Sequence, residues 1–368
     1  MGYVAVKGGT EAIENASKLL LYERIKGISE PLDTGQIREQ LYLLVDKVMG
    51  EGSLYAPDLA ALAIKQSGGD ALEAAFMLRA YRATKARVTS SIPHTMREMR
   101  LVRRISAAFK DVPGGQILGP STDYSLRLID FELLEDNYSK NDLLRDMFAS
   151  VATVSPLPDS LPKVVELLRA EGLLEESPPA SSCEHGKIVD ITRQPITFPA
   201  QRSSVLQSMA RGETGGLLLL AYSNMRGYGD IHPTIGELRV GYVPVKIRHP
   251  RTEQHYVIGE IKVTEAEVIS KFSAQGGAPK FTLGYGLCFG QNETKAIAMA
   301  VLDRAMRSKE PTMASENQEF VLTHVDGIES LGFCNHYKLP HYVTFQSDLD
   351  RLRQAQQICT EGTPNAIV

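Results

Sequence analysis

Tryptophan is absent, and cysteine occurs only at Cys183, Cys288, Cys334 and Cys359. These four lie far apart and no C-x-x-C pair exists, which excludes a disulfide framework, an iron–sulfur cluster held by this chain and a thiolate zinc cage. A reducing compartment fits such cysteine usage. Long apolar runs are missing as well: stretches such as Leu217 to Ala221 fall far short of the roughly 20 residues that a membrane-spanning helix requires. The opening Met1-Gly2-Tyr3-Val4-Ala5-Val6-Lys7-Gly8-Gly9 lacks the cationic lead and apolar core of a signal peptide, so a cytoplasmic location is expected. There is no G-x-x-x-x-G-K-[ST] phosphate loop and no G-x-G-x-x-G fingerprint, so neither a P-loop nor a dinucleotide fold is indicated by motif. Charge of one sign is lacking too. Lys and Arg number 40 against 44 acids, a net −4, too little for a protein dedicated to nucleic acid or to a membrane surface.

What is present describes a globular chain. The 368 residues are 43% hydrophobic and 23% charged, enough for more than one core. After a short opening strand, helix signals dominate the first 110 residues. Thr10-Glu11-Ala12-Ile13 opens one helix, Asp33 caps another carrying Ile37, Leu41, Leu44, Val45 and Val48, Pro57 starts a third, and Gly68-Gly69-Asp70 precedes a fourth running towards Arg87. Pro156, Pro158 and Pro162 precede a short helix, and Glu175 to Ser182 reads as a solvated connection. Beyond it Gly216 to Tyr222 reads as a buried strand. Arg239–Arg248 and His255–Thr264 alternate apolar and polar residues around His249-Pro250-Arg251-Thr252, as an antiparallel hairpin does. Asn292-Glu293-Thr294 and Ser347-x-x-Asp350 read as caps of two later helices. The expected fold class is α+β: a mainly helical domain over 1–153, a connection with a short helix over 154–187, and a mixed or antiparallel sheet with flanking helices over 188–368.

The near-neutral total hides an asymmetry. Between Arg79 and Lys110 nine basic residues face the single acid Glu98, a local +8 that leaves −12 for the rest. Arg97, Arg100, Arg103 and Arg104 fall three or four apart and would crowd one helical face, where like charges repel. An anion bound there, or acids elsewhere in the fold or in a partner subunit, would compensate; nucleic acid ranks behind both, for want of interleaved aromatics or a recognised module.

Glycine clusters at Val6-Lys7-Gly8-Gly9, Asp111 to Pro120, Arg226-Gly227-Tyr228-Gly229-Asp230 and Gly284-Tyr285-Gly286-Leu287-Cys288-Phe289-Gly290 are either tight turns or anion cradles, in which backbone N–H groups approach phosphate oxygens without a Cβ in the way. The last runs into the helix expected from Asn292, whose N-terminus adds positive potential. Among the histidines, His336 and His341 form H-x-x-x-x-H. On a helix that spacing would throw the rings about 140° apart, but Pro340 disfavours helix at Leu339, so a loop is expected in which the two imidazoles converge. They read as two ligands of an incomplete metal site or as ordinary hydrogen-bonded histidines. His232, near Arg226, Asp230 and Glu237, belongs to a mixture able to hold an anion and move a proton.

Several words in order now become familiar: Tyr3-Val4-Ala5-Val6-Lys7-Gly8-Gly9, Arg103-Arg104-Ile105-Ser106-Ala107, Lys110-Asp111-Val112-Pro113-Gly114-Gly115-Gln116, Leu118-Gly119-Pro120, Arg226-Gly227-Tyr228-Gly229, Gly284-Tyr285-Gly286-Leu287 and Lys338-Leu339-Pro340-His341-Tyr342. Together they resemble the I-subunit family of the carbon–phosphorus lyase core complex (PhnI) over nearly the whole chain, apart from about 132–187. The resemblance implies a transferase step in phosphonate catabolism: a phosphonate oxygen displaces adenine from C1′ of MgATP, giving α-D-ribose 1-methylphosphonate 5-triphosphate. It implies work beside the G, H and L proteins and a place against the J subunit in a heteromeric core with which K associates; charge balance and the short apolar runs already speak against a nucleic-acid or membrane partner. It also implies that His336 and His341 contribute to a zinc site near the contact with J.

Substitution at a ribose C1 needs an anion clamp, a carboxylate near the ring and an acid for the departing base. Arg103, Arg104 and Lys110, with Lys7 and Arg226, are the expected anion ligands. Asp230, His232 and Glu237 are the expected proton-transfer or ring-charge residues. Alone, the chain is expected at most to act as a nucleosidase. The alternative is a non-catalytic scaffold whose basic face and loops bind partner subunits; an unrelated phosphatase or kinase is disfavoured by the missing P-loop.

Overall fold

The computed structural model describes residues 9–93, 95–135, 138–151, 161–175, 188–226, 232–249, 251–252, 254–273 and 278–360. The expected opening strand and much of the connection at 154–187 lie outside them.

The first helices form where their caps and stripes dictate. Helix α1 (Thr10–Glu23) is exposed along its whole length. In α2 (Thr34–Gln40), Asp33 Oδ1 accepts from Gly35 N–H at 2.6 Å and Gln36 Oε1 accepts from Asp33 N–H at 2.9 Å, a reciprocal cap that satisfies free donors at the helix start. The chain breaks at Leu41 before α3 (Tyr42–Gly52). Pro57 occupies the first turn of α4 (Pro57–Gln66), and Asp70 accepts from Leu72 and Glu73 at the start of α5 (Ala71–Ala83). Their apolar stripes meet in one cluster, with Ile37, Val45, Val48, Ile64 and Leu78 at its centre.

The expected helical run does not continue through the arginines. Arg100–Ile105 is a strand, β1, and it pairs antiparallel with β2 (Thr234–Arg248), with Arg104 opposite Arg239. β2 and β3 (His255–Ser273) form the expected hairpin, closed by Arg248 opposite His255, and β4 (Lys280–Phe289) completes a four-stranded antiparallel sheet in the order β1-β2-β3-β4. The arginine spacing satisfied a helical period, but successive strand side chains point to opposite faces, so Arg103 and Arg104 separate instead of crowding one another.

Further along lie α6 (Tyr138–Val151), α7 (Val165–Ala170), α8 (Arg202–Arg211), α9 (Thr214–Met225), α10 (Glu293–Ala305), α11 (Gln318–His324), α12 (Gly327–His336) and α13 (Tyr342–Thr360). The run 216–222, expected as a strand, belongs to α9. Glu213 accepts from Gly215 and Gly216 N–H, and Leu217 and Ala221, four apart, are buried while Leu218 and Leu219 are not. Ser347 sits inside α13 and does not cap it. The fold is α+β, and among the described residues no helix is long and apolar enough to cross a membrane.

Helix α10 lies against one sheet face, where Leu238, Ala266, Val268 and Cys288 meet Ala296, Met299 and Ala300, with α8, α9 and α11 enclosing the same core. Gly284 and Gly286 are set by this contact. A Cβ on either would stand 1.9 Å from Ala300 O or 2.0 Å from Ala296 O, so these glycines let the helix backbone approach the strand and are not an anion cradle. On the opposite face, Val165 and Leu168 of α7 pack with Leu174 and Ile269. Helices α12 and α13 bury none of their residues.

Candidate functional site

Arg103 and Arg104 are 0% and 1% exposed, so both guanidiniums are held inside the protein. A buried cation is stable only with partners, and the loop after β1 supplies many of them. Arg104 N–H donates to Ile117 O and Ile117 N–H returns a bond to Arg104 O, each at 2.7 Å. Gly119, at φ +63°, passes where a Cβ would stand 2.6 Å from Val102 O. The glycine cluster of this loop therefore wraps the strand, and its carbonyls turn towards the arginines: Leu118 O accepts from Arg103, and Pro113 O and Gly115 O accept from Arg104 at 2.8 and 3.0 Å.

On the α10 side, Arg103 ties together two acids. Its Nη2 donates to Asp123 Oδ2, and its Nε lies 3.0 Å from Glu293 Oε1, an ion pair off the hydrogen-bond direction. Both acids line a cavity of about 870 Å³ at the N-terminus of α10, with Tyr42, Lys47, Arg127 and Thr294 among the other wall residues. Burial pushes the Asp123 carboxyl up, but hydrogen bonds from Arg103 and Ser121 outweigh it and hold the group below the usual carboxylate value. Asn292, expected as the cap, spends its side-chain amide on Asp46 O and Phe289 O. The N–H groups just before the helix are occupied: Gln291 donates to Asp46 Oδ2 and Asn292 to Thr264 Oγ1, both at 2.9 Å. Those of Glu293, Thr294 and Lys295 have no partner among the described residues, and these three residues line the cavity. A helix start of this kind favours anions. The cavity thus joins an anion-favouring wall to two carboxylates fixed by a buried guanidinium.

Arg104 faces the other side of the sheet, where a charged belt crosses the strands. Its Nε donates to Glu237 Oε1 at 2.5 Å and its Nη2 to Pro162 O at 2.6 Å. Arg239 Nε donates to Glu265 Oε2 at 2.8 Å, and Lys163 bridges Glu265 and Glu267 at 2.9 and 2.7 Å. Tyr285 donates to Glu265 at 3.0 Å. Burial raises the Glu267 carboxyl more than Lys163 lowers it, with Glu265 and Glu237 adding to the rise; for Glu265, Arg239 and Lys163 overcome burial and keep the group low. Glu237, expected as a catalytic group, is buried in this belt and bonded to Arg104.

His336 ends α12 and His341 immediately precedes α13, and their ring centroids are 5.2 Å apart. His341 Nδ1 donates to Leu339 O at 2.6 Å, and His336 Nδ1 donates to Phe333 O. That tautomer leaves Nε2 of each ring as the lone-pair donor suited to a metal. Among the described residues no group of three or more His, Cys, Asp or Glu could hold a metal ion. Two imidazole nitrogens are by themselves too few for a closed tetrahedral site.

The other expected residues are not brought together. Lys110 is exposed after β1, Arg226 ends α9 with its guanidinium 5.8 Å from the Tyr222 ring, and His232 is exposed with Nδ1 2.8 Å from Pro233 O. None of the three lines the cavity at α10. Lys7 and Asp230, with Gly227 to Gly229, lie outside the described residues. Sequence reasoning missed Asp123, Glu293, Lys47 and Arg127. Only Glu293, next to the glycine cluster and the start of α10, carried a local cue.

Residues 2–359 match the family described as bacterial phosphonate metabolism protein (PhnI). The chain is 53% identical over 377 residues to the putative C-P lyase subunit protein HtxH of Stutzerimonas stutzeri, covering 99% of this chain and 100% of that protein. It is 44% identical over 366 residues to the alpha-D-ribose 1-methylphosphonate 5-triphosphate synthase subunit PhnI of Escherichia coli (strain K12), covering 98% of this chain and 100% of the relative. To the subunit of the same name in Rhizobium meliloti (strain 1021) it is 43% identical over 362 residues, covering 96% and 95%.

Proposed function

The chain belongs to the PhnI family of bacterial phosphonate metabolism proteins, and from that premise we propose that it is a synthase subunit of a carbon–phosphorus lyase complex that transfers ribose triphosphate from MgATP to a phosphonate. A phosphonate oxygen forms the new bond to C1′, the bond from C1′ to the adenine nitrogen breaks, and adenine leaves with a proton. The cavity at α10 suits this chemistry. Free N–H groups of the first turn, with Lys47 and Arg127, take phosphate oxygens, and Asp123 and Glu293 face the positive charge that grows on the sugar ring as adenine departs. The observation that carries the reading is Arg103, wholly buried, gripping both carboxylates at the cavity wall. Carboxylates held in place before the reaction stabilise a transition state more than mobile charge in water does.

The test is adenine release by the assembled complex supplied with MgATP and methylphosphonate. Asp123→Asn should lower the rate about 10²-fold while leaving complex assembly intact; an unchanged rate rejects the role given to the cavity.

His336 and His341 would hold a zinc ion jointly with a partner subunit, the zinc serving to fix the contact between the two. G, H and J subunits are the partners in this reading.

A scaffold reading is favoured by one observation. Every residue from 121 to 135 is exposed, including Leu126 at 84%, Phe131 at 72% and Leu134 at 82%. So much apolar surface suits burial by other subunits. If this segment only docks partners, its substitution by polar residues abolishes assembly, whereas Asp123→Asn leaves both assembly and adenine release untouched.

A further inference from the structure

A second cavity, of about 650 Å³, opens against the sheet face that bears the charged belt, between β2–β4, α8 and Ser91, Ile92, Pro93 and Met96. Its wall is mostly apolar, with Met96, Leu206, Val243, Val263, Leu287 and Phe289 prominent, and its volume lies within the range of about 300–1,000 Å³ usual for small-molecule sites. Two polar groups interrupt that wall without partners. Arg211 Nε and Ser53 Oγ are buried, and neither has a hydrogen-bond partner among the described residues. They sit at adjoining helix ends. Arg79 Nη2 donates both to Glu51 O at 2.7 Å and to Arg211 O at 3.2 Å, stapling the C-terminus of α3 to that of α8. Arg211 has no ion-pair partner among the described residues: both oxygens of Asp326 accept from Arg79 Nη1, at 2.9 and 2.7 Å, so Asp326, like Glu329, acts on Arg211 only from a distance. Burial and the neighbouring Arg79 push the Arg211 guanidinium down, which a bound anion would reverse.

A half-buried guanidinium with no directly bonded acid is costly unless something else compensates it. Beside it stands a hydroxyl able to donate, and beyond both is an apolar wall with room for a small organic group. We propose that this cavity is a ligand site for an organic oxyanion with an apolar body, its oxygens taken by Arg211 and Ser53 Oγ and its apolar part by the wall of Leu206, Val243, Val263 and Leu287. This site is separate from the cavity at α10 and does not depend on the transfer reaction assigned there.

Calorimetric titration of the full chain with hexylphosphonate, hexanoate, hexanol and adenosine monophosphate tests the proposal. One of the anions should bind at least tenfold more tightly than hexanol, and Arg211→Gln should remove that advantage while leaving hexanol unchanged. Preference for adenosine monophosphate identifies a nucleotide body, and preference for the hexyl anions an alkyl one; either supports the site. Leu206→Trp, which fills the cavity without touching the charge, should abolish binding while the circular dichroism spectrum stays that of the wild type. Equal binding of anion and alcohol, anion binding by Arg211→Gln at wild-type strength, or no binding at all overturns it.

Discussion

Replacing Arg104 by Met removes a buried cation while keeping much of the side-chain length. Arg104 and Glu237 are 1% and 2% exposed, and their contact is 2.5 Å, so water does not readily take over from a lost partner. Removing one member of a buried ion pair costs about 3–5 kcal/mol, because the other charge stays behind. Pro113 O, Gly115 O and Pro162 O lose their donor as well, at about 1 kcal/mol each. The combined loss is at least about 5 kcal/mol, comparable with the whole stability of many domains. Equilibrium urea unfolding of the full chain measures it. The second arm is Arg104→Met with Glu237→Met, which withdraws the carboxylate left with only Arg239, 3.9 Å away; buried ion pairs replaced by apolar groups often lose nothing, so this variant should recover at least about 2 kcal/mol over the single one. A single-variant loss below about 1 kcal/mol, the size seen for exposed pairs, refutes the reasoning. So does a double variant no more stable than the single.

Gly286→Ala places a Cβ 2.0 Å from Ala296 O, a backbone atom of α10 that cannot swing aside, and should cost about 3 kcal/mol, seen as a lower urea midpoint. Asp190 is held down at about 2, first by the Thr192 hydroxyl and, against burial, by the Thr192 N–H and Arg87. Its folded value is below its unfolded one, so its stabilisation is complete above about pH 4 and disappears as the pH falls towards 2. The urea-midpoint difference between wild type and Asp190→Asn should follow that course; a pH-independent difference contradicts the assignment. Replacing His336 and His341 together should lower the zinc content of the assembled complex, measured by elemental analysis, and unchanged zinc places the ligands elsewhere.

The early helices and the hairpin were readable because their causes are local. Asp33, Pro57 and Asp70 act within a turn of the residues they cap, and the alternation on either side of His249 needs only the period of a strand. The sequence also disclosed the family, through words spread along nearly the whole chain. It told that basic charge gathers between Arg79 and Lys110 and that something must compensate it.

What compensates it was decided by the tertiary structure. Arg100, Arg103 and Arg104 fit a helical period as well as they fit β1, and the choice rests on Glu237, 133 positions away from Arg104, and on Glu293, further still. The run at Leu217 satisfied a strand as readily as a helix until Glu213 capped it and α10 packed on Leu217 and Ala221. Gly284 and Gly286 could equally have made a cradle, since glycine records only that a Cβ is unwelcome and not which neighbour excludes it. Propensity and periodicity act over a few residues; charge compensation and close packing act through space, between groups that chain order keeps far apart.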